Sequence, residues 1–250
     1  MFRNANTISS KPTVFHLTHH KAGSQWVSEI LKRSDPARYV ASKPLTQHLK
    51  DLPLKEGLIY PTVYQTKDEF ELLLAEGEFT EPYSAFYVKR DLRDTLVSLY
   101  FSLKYSHAVV SDNVRKQRAN LENLNDLEGM RYLLEHNLQR QSNMQMSWIN
   151  ENITVFKYED LLKDELAIFM KIKELAELDI ADTAFKTIVK DNSFQNISGR
   201  KQGEEDQSKH QRKGISGDWQ NYFNESMKDD FKEKFQSTLT ATGYELDDSW

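Results

Sequence analysis

A short polar loop near the start of the chain has the residue types that bind phosphate or sulfate. Residues 19–24 (HHKAGS) follow an apolar run and precede a helical pattern. Backbone N–H groups at a helix N-terminus point toward a bound anion, and a lysine in the loop adds positive charge. Lys21, Gly23 and Ser24 therefore predict an anion-binding site at this position.

Two more side chains that suit an anionic nucleotide follow apolar runs of their own. Arg90 comes directly after residues 84–89 (SAFYVK), and Tyr158 comes directly after residues 153–157 (ITVFK). The carboxyl ends of parallel strands meet at one edge of a sheet, and ligands bind there. We therefore expect Arg90 and Tyr158 to lie near the loop, with Ser98 facing the same pocket from the next helix.

The loop differs from the phosphate-binding loop of nucleoside triphosphatases. That motif, GxxxxGK[ST], places its lysine after two glycines, whereas Lys21 precedes the single Gly23. No convincing magnesium-binding carboxylate follows a strand, because Asp91 and Asp160 are both explained as residues that start a helix. A magnesium-dependent P-loop kinase is therefore the alternative hypothesis, and no metal site is predicted.

The composition indicates one globular domain over residues 1–250. The chain is 38% hydrophobic and 28% charged with a net charge of -5, which argues against a general nucleic-acid-binding protein. It has no cysteine, which excludes disulfides and thiolate metal sites and fits a reducing cytoplasm. The first residues lack the apolar core of a signal peptide, and no apolar run could span a bilayer. We expect a cytoplasmic protein without a membrane span.

Strand patterns alternate with helical patterns along the chain. This order predicts an α/β fold, with a central parallel β-sheet flanked by helices. The strands are expected at 13–18, 58–63, 84–89 and 153–157, and the helices from an N-cap at Ser24, at 68–75, from Asp91 or Asp94, at 127–149, 166–178 and 183–189, and at 227–239. Residues 198–214 are expected to form a surface loop, and residues 115–126 are a second polar segment.

Five segments resemble, in order, the signatures of sulfotransferases that use 3′-phosphoadenosine 5′-phosphosulfate (PAPS). They are residues 20–26 (HKAGSQW), 87–98 (YVKRDLRDTLVS), 158–160 (YED), 193–194 (SF) and 212–219 (RKGISGDW). One signature alone is weak, but five in the same order are specific. The resemblance implies a P-loop-like sulfotransferase fold that transfers a sulfuryl group and releases 3′-phosphoadenosine 5′-phosphate (PAP).

The resemblance also implies a role for each matching residue. Lys21 would be catalytic, because it would contact the oxygen that joins phosphate to sulfate. The cofactor-binding residues would be Ala22, Gly23, Ser24 and Gln25 with Lys21 in the loop, Arg90, Ser98, Arg212, Lys213 and Gly214 at the 3′-phosphate, and Trp26, Tyr158 and Phe194 around the adenine.

No motif identifies the general base that takes a proton from the acceptor. Many members of the resembled family have a histidine soon after the second strand, but residues 58–64 contain none. The candidates are His48, in a loop on the expected acceptor side, and His20, next to the anion loop. His107 and Glu69 are further candidates.

The acceptor itself is expected to be a small-molecule, lipid or glycan hydroxyl, or with less support an amine. The segments expected to shape its pocket carry no readable specificity. Because a histidine is missing after the second strand, a non-catalytic nucleotide-binding module is a third hypothesis. The sequence does not indicate an oligomeric state.

Overall fold

The computed structural model describes residues 11–41, 54–109, 111–149 and 151–250, and within them four parallel strands form one sheet. The strands are β1 (Thr13–Thr18), β2 (Ile59–Val63), β3 (Tyr83–Lys89) and β4 (Thr154–Lys157), in the order β2-β1-β3-β4. All four expected strands are confirmed to within one residue. Pro61 is accommodated because β2 is an edge strand, where a missing backbone N–H is tolerated.

Helices connect and follow the strands. They are α1 (Ser24–Ser34), α2 (Lys67–Glu76), α3 (Leu92–Phe101), α4 (Asp112–Glu122), α5 (Asp126–His136), α6 (Leu138–Ser147), α7 (Tyr158–Lys163), α8 (Glu165–Leu175), α9 (Asp182–Asp191), α10 (Phe194–Ser198) and α11 (Glu225–Ala241). A π-helical turn, Ser102–Ser106, extends α3, and a 3₁₀ turn covers Asp218–Asn221. No helix in the described ranges is both long and apolar enough to cross a bilayer.

The structure corrects one helix prediction and decides two details that the sequence left open. The expected single helix over 127–149 is two helices, because the backbone at Asn137 leaves the helical conformation between α5 and α6. The polar segment 115–126 is mostly helical, since α4 begins after a Ser111 cap. Of the two carboxylates proposed to open α3, Asp91 is the N-cap and accepts from the Arg93 N–H.

The sheet is covered on both faces. Along β1, Val14 packs with residues of α1, α8 and α9, whereas Phe15 and Leu17 pack with residues of α2 on the opposite face. This alternation follows from the two-residue period of a strand. A third cluster, built from α3 to α6 and α11, lies beside the sheet and contains Trp219. The α/β arrangement predicted from the sequence is confirmed.

The strand register sets where the functional loops meet. Thr18 of β1 pairs with Val88 of β3, and Lys89 of β3 pairs with Lys157 of β4. The three strands therefore end level with one another, because all of them run in the same direction. The segments that follow them, which carry Lys21, Arg90 and Tyr158, leave the sheet at one edge.

Candidate active site

The anion loop has a backbone that only certain residues adopt easily. Lys21 has φ 69° and Gly23 has φ 81°, and Gly23 is the N-cap of α1. A Cβ on Gly23 would lie 2.8 Å from Cδ2 of Tyr158. Glycine is needed there for both reasons, the left-handed conformation and the close tyrosine ring. Tyr158 is thereby packed directly against the loop, as its place after β4 predicted.

Ser24 is the first residue of α1 and not its cap, contrary to the prediction. Its Oγ lies 2.7 Å from the hydroxyl of Tyr64, which follows β2. Burial raises the pKa of Tyr64 to about 12, so this hydroxyl keeps its proton. Sequence reasoning missed Tyr64, although its position at the end of a strand was a usable signal. A fourth strand end therefore reaches the anion loop.

Arg90 links the segments that follow β1 and β3. Its Nη1 donates to the Lys21 carbonyl at 3.0 Å, its Nη2 reaches the Ile215 carbonyl at 3.4 Å, and its guanidinium lies 4.5 Å from the centre of the Tyr158 ring. The side chain is 7% exposed, and within the described residues its Nε has no hydrogen-bond partner. The expected proximity of Arg90, Lys21 and Tyr158 is confirmed.

The buried side chain of His19 also connects the segments that follow β1 and β3. His19 Nδ1 donates to the His20 carbonyl at 3.0 Å, and Nε2 accepts the Arg90 backbone N–H at 3.1 Å and the Gln145 side-chain amide at 3.0 Å. Burial lowers the pKa of His19 to about 3, so the ring stays neutral and can accept at Nε2. His19 positions the loop, a role that sequence reasoning did not assign.

Asp94 brings the late RKGISGDW segment to the site. Its buried carboxylate accepts the Gly217 N–H at 2.7 Å and the Trp219 N–H at 3.0 Å. Asp94 lies in the first turn of α3, four residues after Arg90. Gly217 and Trp219 follow Asp94 by 123 and 125 positions in the sequence. The two bonds explain how the late segment reaches Arg90. Ser98, further along α3, is half-buried.

The two cations of the late segment share one buried carboxylate. Arg212 Nη2 contacts Asp218, Lys213 Nζ lies 2.6 Å from the same carboxylate, and Asp218 is 1% exposed. The Arg212 guanidinium also contacts Glu205 and lies 4.4 Å from the centre of the Phe101 ring. The cations are held in a defined orientation because burial and ion pairing restrict them.

The aromatic residues predicted around an adenine lie beside these groups. Trp26 packs edge-on against Tyr158, with ring centres 6.4 Å apart, and its buried Nε1 has no partner among the described residues. Phe194 lies against Gly214, where a Cβ would come within 2.5 Å of the ring. Gly214 has φ 65°, so glycine is required there for the same two reasons as at the anion loop. Gln25 is exposed at the start of α1.

The charges in this site repel one another in the free protein. Burial first, and then the positive charges of Arg90 and Arg212, lower the pKa of Lys21 to about 8. Lysine loses its proton more easily when it is buried and other cations lie near it. The sequence prediction that Lys21, Arg90 and Arg212 converge is met, and a bound anion would relieve their repulsion.

The predicted base candidates differ in their surroundings. His48 lies outside the described residues. His20 is exposed, and its ring contacts that of Tyr64 at a tilt of 31°, with centres 4.0 Å apart. Glu69 is not poised as a base: its carboxylate accepts the N–H of Thr66, the N-cap of α2, and pairs with Arg140 at 2.6 Å, and this pairing lowers its pKa.

The positive charge of Lys21 affects the pKa values of two other histidines, His107 and His210. Burial first, and then the charge of Lys21, lowers the pKa of His107, whereas the charge of Lys21 is the main cause that lowers the pKa of His210 to about 4. Burial and the charge of His107 lower the pKa of His210 further. His107 was among the sequence candidates, whereas His210 was missed because it stands in a run of polar residues without a motif.

Comparison with known proteins gives a consistent result. Residues 11–243 match the sulfotransferase domain family. Sulfotransferase 2A6 of Mus musculus is 27% identical over 252 residues, covering 90% of this chain and 83% of that protein. The 3-alpha-hydroxysteroid sulfotransferase of Cavia porcellus is 25% identical, with coverage of 90% and 83%. The crystal structure of mouse sulfotransferase SULT7A1 complexed with PAP is 20% identical and superposes with a TM-score of 0.64, covering 94% of this chain and 88% of that one.

Proposed function

The chain belongs to the sulfotransferase domain family, and we propose that it transfers a sulfuryl group from PAPS to a hydroxyl of a small organic molecule. One observation carries the proposal. Lys21, Arg90 and Arg212 come from three separate segments: Arg90 donates to the Lys21 carbonyl, and burial together with the charges of both arginines lowers the pKa of Lys21. A site of this kind suits a donor with several negative charges.

The residues of the donor site follow from this convergence and from the family signatures. In the proposed assignment Lys21 faces the oxygen between phosphate and sulfate, and the other groups hold the nucleotide. They are Ala22, Gly23, Ser24 and Gln25 at the 5′-phosphate, Arg90, Ser98, Arg212, Lys213 and Gly214 at the 3′-phosphate, and Trp26, Tyr158 and Phe194 at the adenine.

The unused hydrogen-bonding capacity of the site fits such a nucleotide. Arg90 Nε and Trp26 Nε1 are buried, and among the described residues neither has a partner. Unsatisfied buried donors cost free energy, so native structures rarely retain them without a ligand or a water molecule. A phosphate oxygen and a polar atom of a nucleotide would satisfy them. The aromatic rings next to these donors supply flat apolar surface for a base.

The chemistry of transfer requires charge stabilisation and proton removal. PAPS supplies the sulfuryl group when it is bound. Lys21 then stabilises the negative charge that develops on the leaving oxygen, which is the usual role of a cation in such displacement reactions. Arg90 orients this lysine through the Lys21 carbonyl, and His19 holds Arg90 through its backbone N–H. The fixed loop contributes by positioning the reacting groups.

A histidine on the acceptor side is the proposed general base. His20 and His48 were expected from the sequence. The effect of the Lys21 charge on the pKa values of two other histidines adds His210 as a candidate and supports His107. Both rings are neutral near pH 7, but the lowered pKa makes each a weak base while the donor site is empty. A bound anion would raise these pKa values by offsetting the charge of Lys21.

The proposed acceptor is a small molecule with a free hydroxyl. Its support is the chain's similarity to hydroxysteroid sulfotransferases, whose names state acceptors of this class. A cytoplasmic location is proposed because the chain has no cysteine, which fits a reducing compartment.

The test is turnover of PAPS with a panel of hydroxysteroids, phenols and aliphatic alcohols, followed by PAP release. Wild-type protein should produce PAP and sulfated acceptor in the presence of chelator. K21M should lose turnover while K171M, which removes an exposed lysine on α8, should not. ATP consumption that depends on magnesium would support the kinase hypothesis instead. Tight PAP binding without turnover on any acceptor would support the non-catalytic module.

The base is tested by single substitutions measured on the best acceptor from that panel. H20Q, H48Q, H107Q and H210Q should differ, with one variant losing kcat by about two orders of magnitude while its PAP affinity stays unchanged. The variants must be compared at saturating PAPS, so that a loss of donor binding is not mistaken for a loss of proton transfer. Equal kcat values for all four would contradict a histidine base.

A further inference from the structure

We propose that Arg200 is a positioning residue that holds residues 199–214, here the RKG loop, so that Arg212 and Lys213 meet the 3′-phosphate. The inference rests on the proposed function, because it assumes the 3′-phosphate role of those cations. Arg200 is not part of any family signature noted in the sequence, and it stands in the polar stretch that was expected to be a plain surface loop.

The guanidinium of Arg200 joins the two arms of the RKG loop. Its Nη1 donates to the Glu204 carbonyl at 2.6 Å and to the Arg212 carbonyl at 2.7 Å, and its Nη2 donates to the Gln211 carbonyl. One side chain therefore binds backbone on both sides of the loop. Arginine suits this task because its planar head presents several donors in a fixed fork, which lysine cannot do.

Hydrogen bonds must hold this loop, because apolar packing cannot. Residues 199–214 (GRKQGEEDQSKHQRKG) contain no apolar side chain. Two backbone bonds cross the loop as well, from the Gly203 N–H to the Lys213 carbonyl and from the Asp206 N–H to the Arg212 carbonyl, both 2.9 Å long. The Arg212 carbonyl thus accepts from Asp206 and from Arg200. These bonds offset part of the conformational entropy that the ordered loop loses.

The same side chain connects the loop to the proposed adenine site. The Arg200 guanidinium lies 5.3 Å from the centre of the Phe194 ring, and its backbone N–H donates to Ser198 Oγ at 3.1 Å. Ser198 Oγ in turn donates to the Phe194 carbonyl at 2.7 Å. Phe194 packs on Gly214, the last residue of the loop. Arg200 therefore sets the spacing between Phe194 and Arg212.

The test measures 3′-phosphate selectivity, defined as the Kd of adenosine 5′-monophosphate divided by the Kd of PAP. R200A should lower this ratio on the order of tenfold by weakening PAP binding, with the monophosphate Kd unchanged within about twofold. R200K should behave like R200A, because lysine keeps the positive charge but lacks the planar set of donors that binds several carbonyls at once. K201A, which removes an exposed charge from the same loop, should match wild type.

A second measurement does not depend on the nucleotide. Amide hydrogen exchange within residues 199–214 should be faster in R200A than in K201A, because the loop has lost its cross-link. The rest of the chain should exchange as in wild type, since the loop buries no apolar surface. The double variant R200A/R212A should lose less PAP affinity than the sum of the two single losses, because Arg200 acts partly through Arg212.

The PAP affinities of R200A and R212A distinguish a failure of the Arg200 proposal from a failure of the proposed function. If R212A weakens PAP binding and R200A does not, the Arg200 proposal is overturned and the proposed function stands. If R212A itself leaves PAP binding unchanged, the 3′-phosphate assignment fails, and the role of Arg200 fails with it. If R200A weakens the monophosphate as much as PAP, Arg200 supports the site in general and the selectivity argument is wrong.

Discussion

The protonation of Lys21 should control nucleotide binding between about pH 7 and about pH 9. Its pKa in the free protein is lowered to about 8 by burial and by the charges of Arg90 and Arg212. A bound polyanion raises that pKa, because it favours the charged lysine. Binding of PAP at a pH near 8 should therefore take up protons, and the affinity should fall as the pH rises.

The size of the effect follows from the titration curve. With a pKa of about 8, the protonated fraction of Lys21 is about 0.9 at pH 7, about 0.5 at pH 8 and about 0.1 at pH 9. If only the protonated form binds, PAP affinity falls about tenfold over this range, and binding at about pH 8 takes up about half a proton. The phosphates of the ligand are ionised over most of this range, because their second pKa is about 6.

The assay is calorimetric titration of PAP in two buffers of different ionisation enthalpy, repeated at three pH values. The difference in observed heat gives the number of protons taken up. K21M is the matched variant, since it keeps most of the side-chain volume and removes the titrating group. Its PAP affinity should be lower at about pH 7 and nearly independent of pH.

Two results would refute this reasoning. The first is a wild-type affinity that falls with pH no more steeply than that of K21M. The second is binding without proton uptake at a pH near the lysine pKa. The same pKa shift has a stability consequence: burying the charged lysine costs free energy, so K21M should unfold at a higher temperature than wild type at about pH 7. The advantage should shrink as the pH rises through the folded pKa of about 8, because wild-type Lys21 then loses its charge.

Two further predictions concern residues that hold the late segment in place. D94A should lower the free energy of unfolding by about 2 kcal/mol, because the buried Trp219 N–H and the half-buried Gly217 N–H would lose their shared acceptor; urea unfolding measures it. G214A should weaken PAP binding on the order of tenfold, because its Cβ would lie 2.5 Å from the Phe194 ring and displace it; PAP titration measures it.

Each of these variants has a matched control in the chain. D112A removes an exposed carboxylate that pairs with Arg115, so its unfolding free energy should stay within about 0.5 kcal/mol of wild type. G199A shares the positive φ of G214A, at 70°, but its Cβ would meet nothing within 4 Å. Similar PAP affinities for G199A and G214A would show that backbone strain, and not the Phe194 ring, causes the loss. A D94A midpoint equal to that of D112A would contradict the anchoring role of Asp94.

The sequence predicted the layout of the fold because the relevant signals are local. Thr13–Thr18 is an unbroken run of β-branched, aromatic and other residues that strands favour, and it forms a fully buried strand. The anion loop was recognisable because a lysine, a glycine and a serine stand between a strand and a helix. His136 and Asn137, by contrast, are residue types that often end a helix, but they stand inside a longer helical pattern, and the break between α5 and α6 was not predicted.

Local patterns predicted which residues form the anion loop and which cations could join it, since strand ends in a parallel sheet share an edge. Only the tertiary structure decided how those cations are held. Ser24 meets Tyr64 across 40 residues, and Asp94 meets Gly217 across 123 residues. The physical reason is that folding brings the bonded groups together. A sequence pattern describes neighbours along the chain and does not specify which remote residues become close in space. The lowered pKa of Lys21 has the same origin, because it depends on charges that are near in space and remote in sequence.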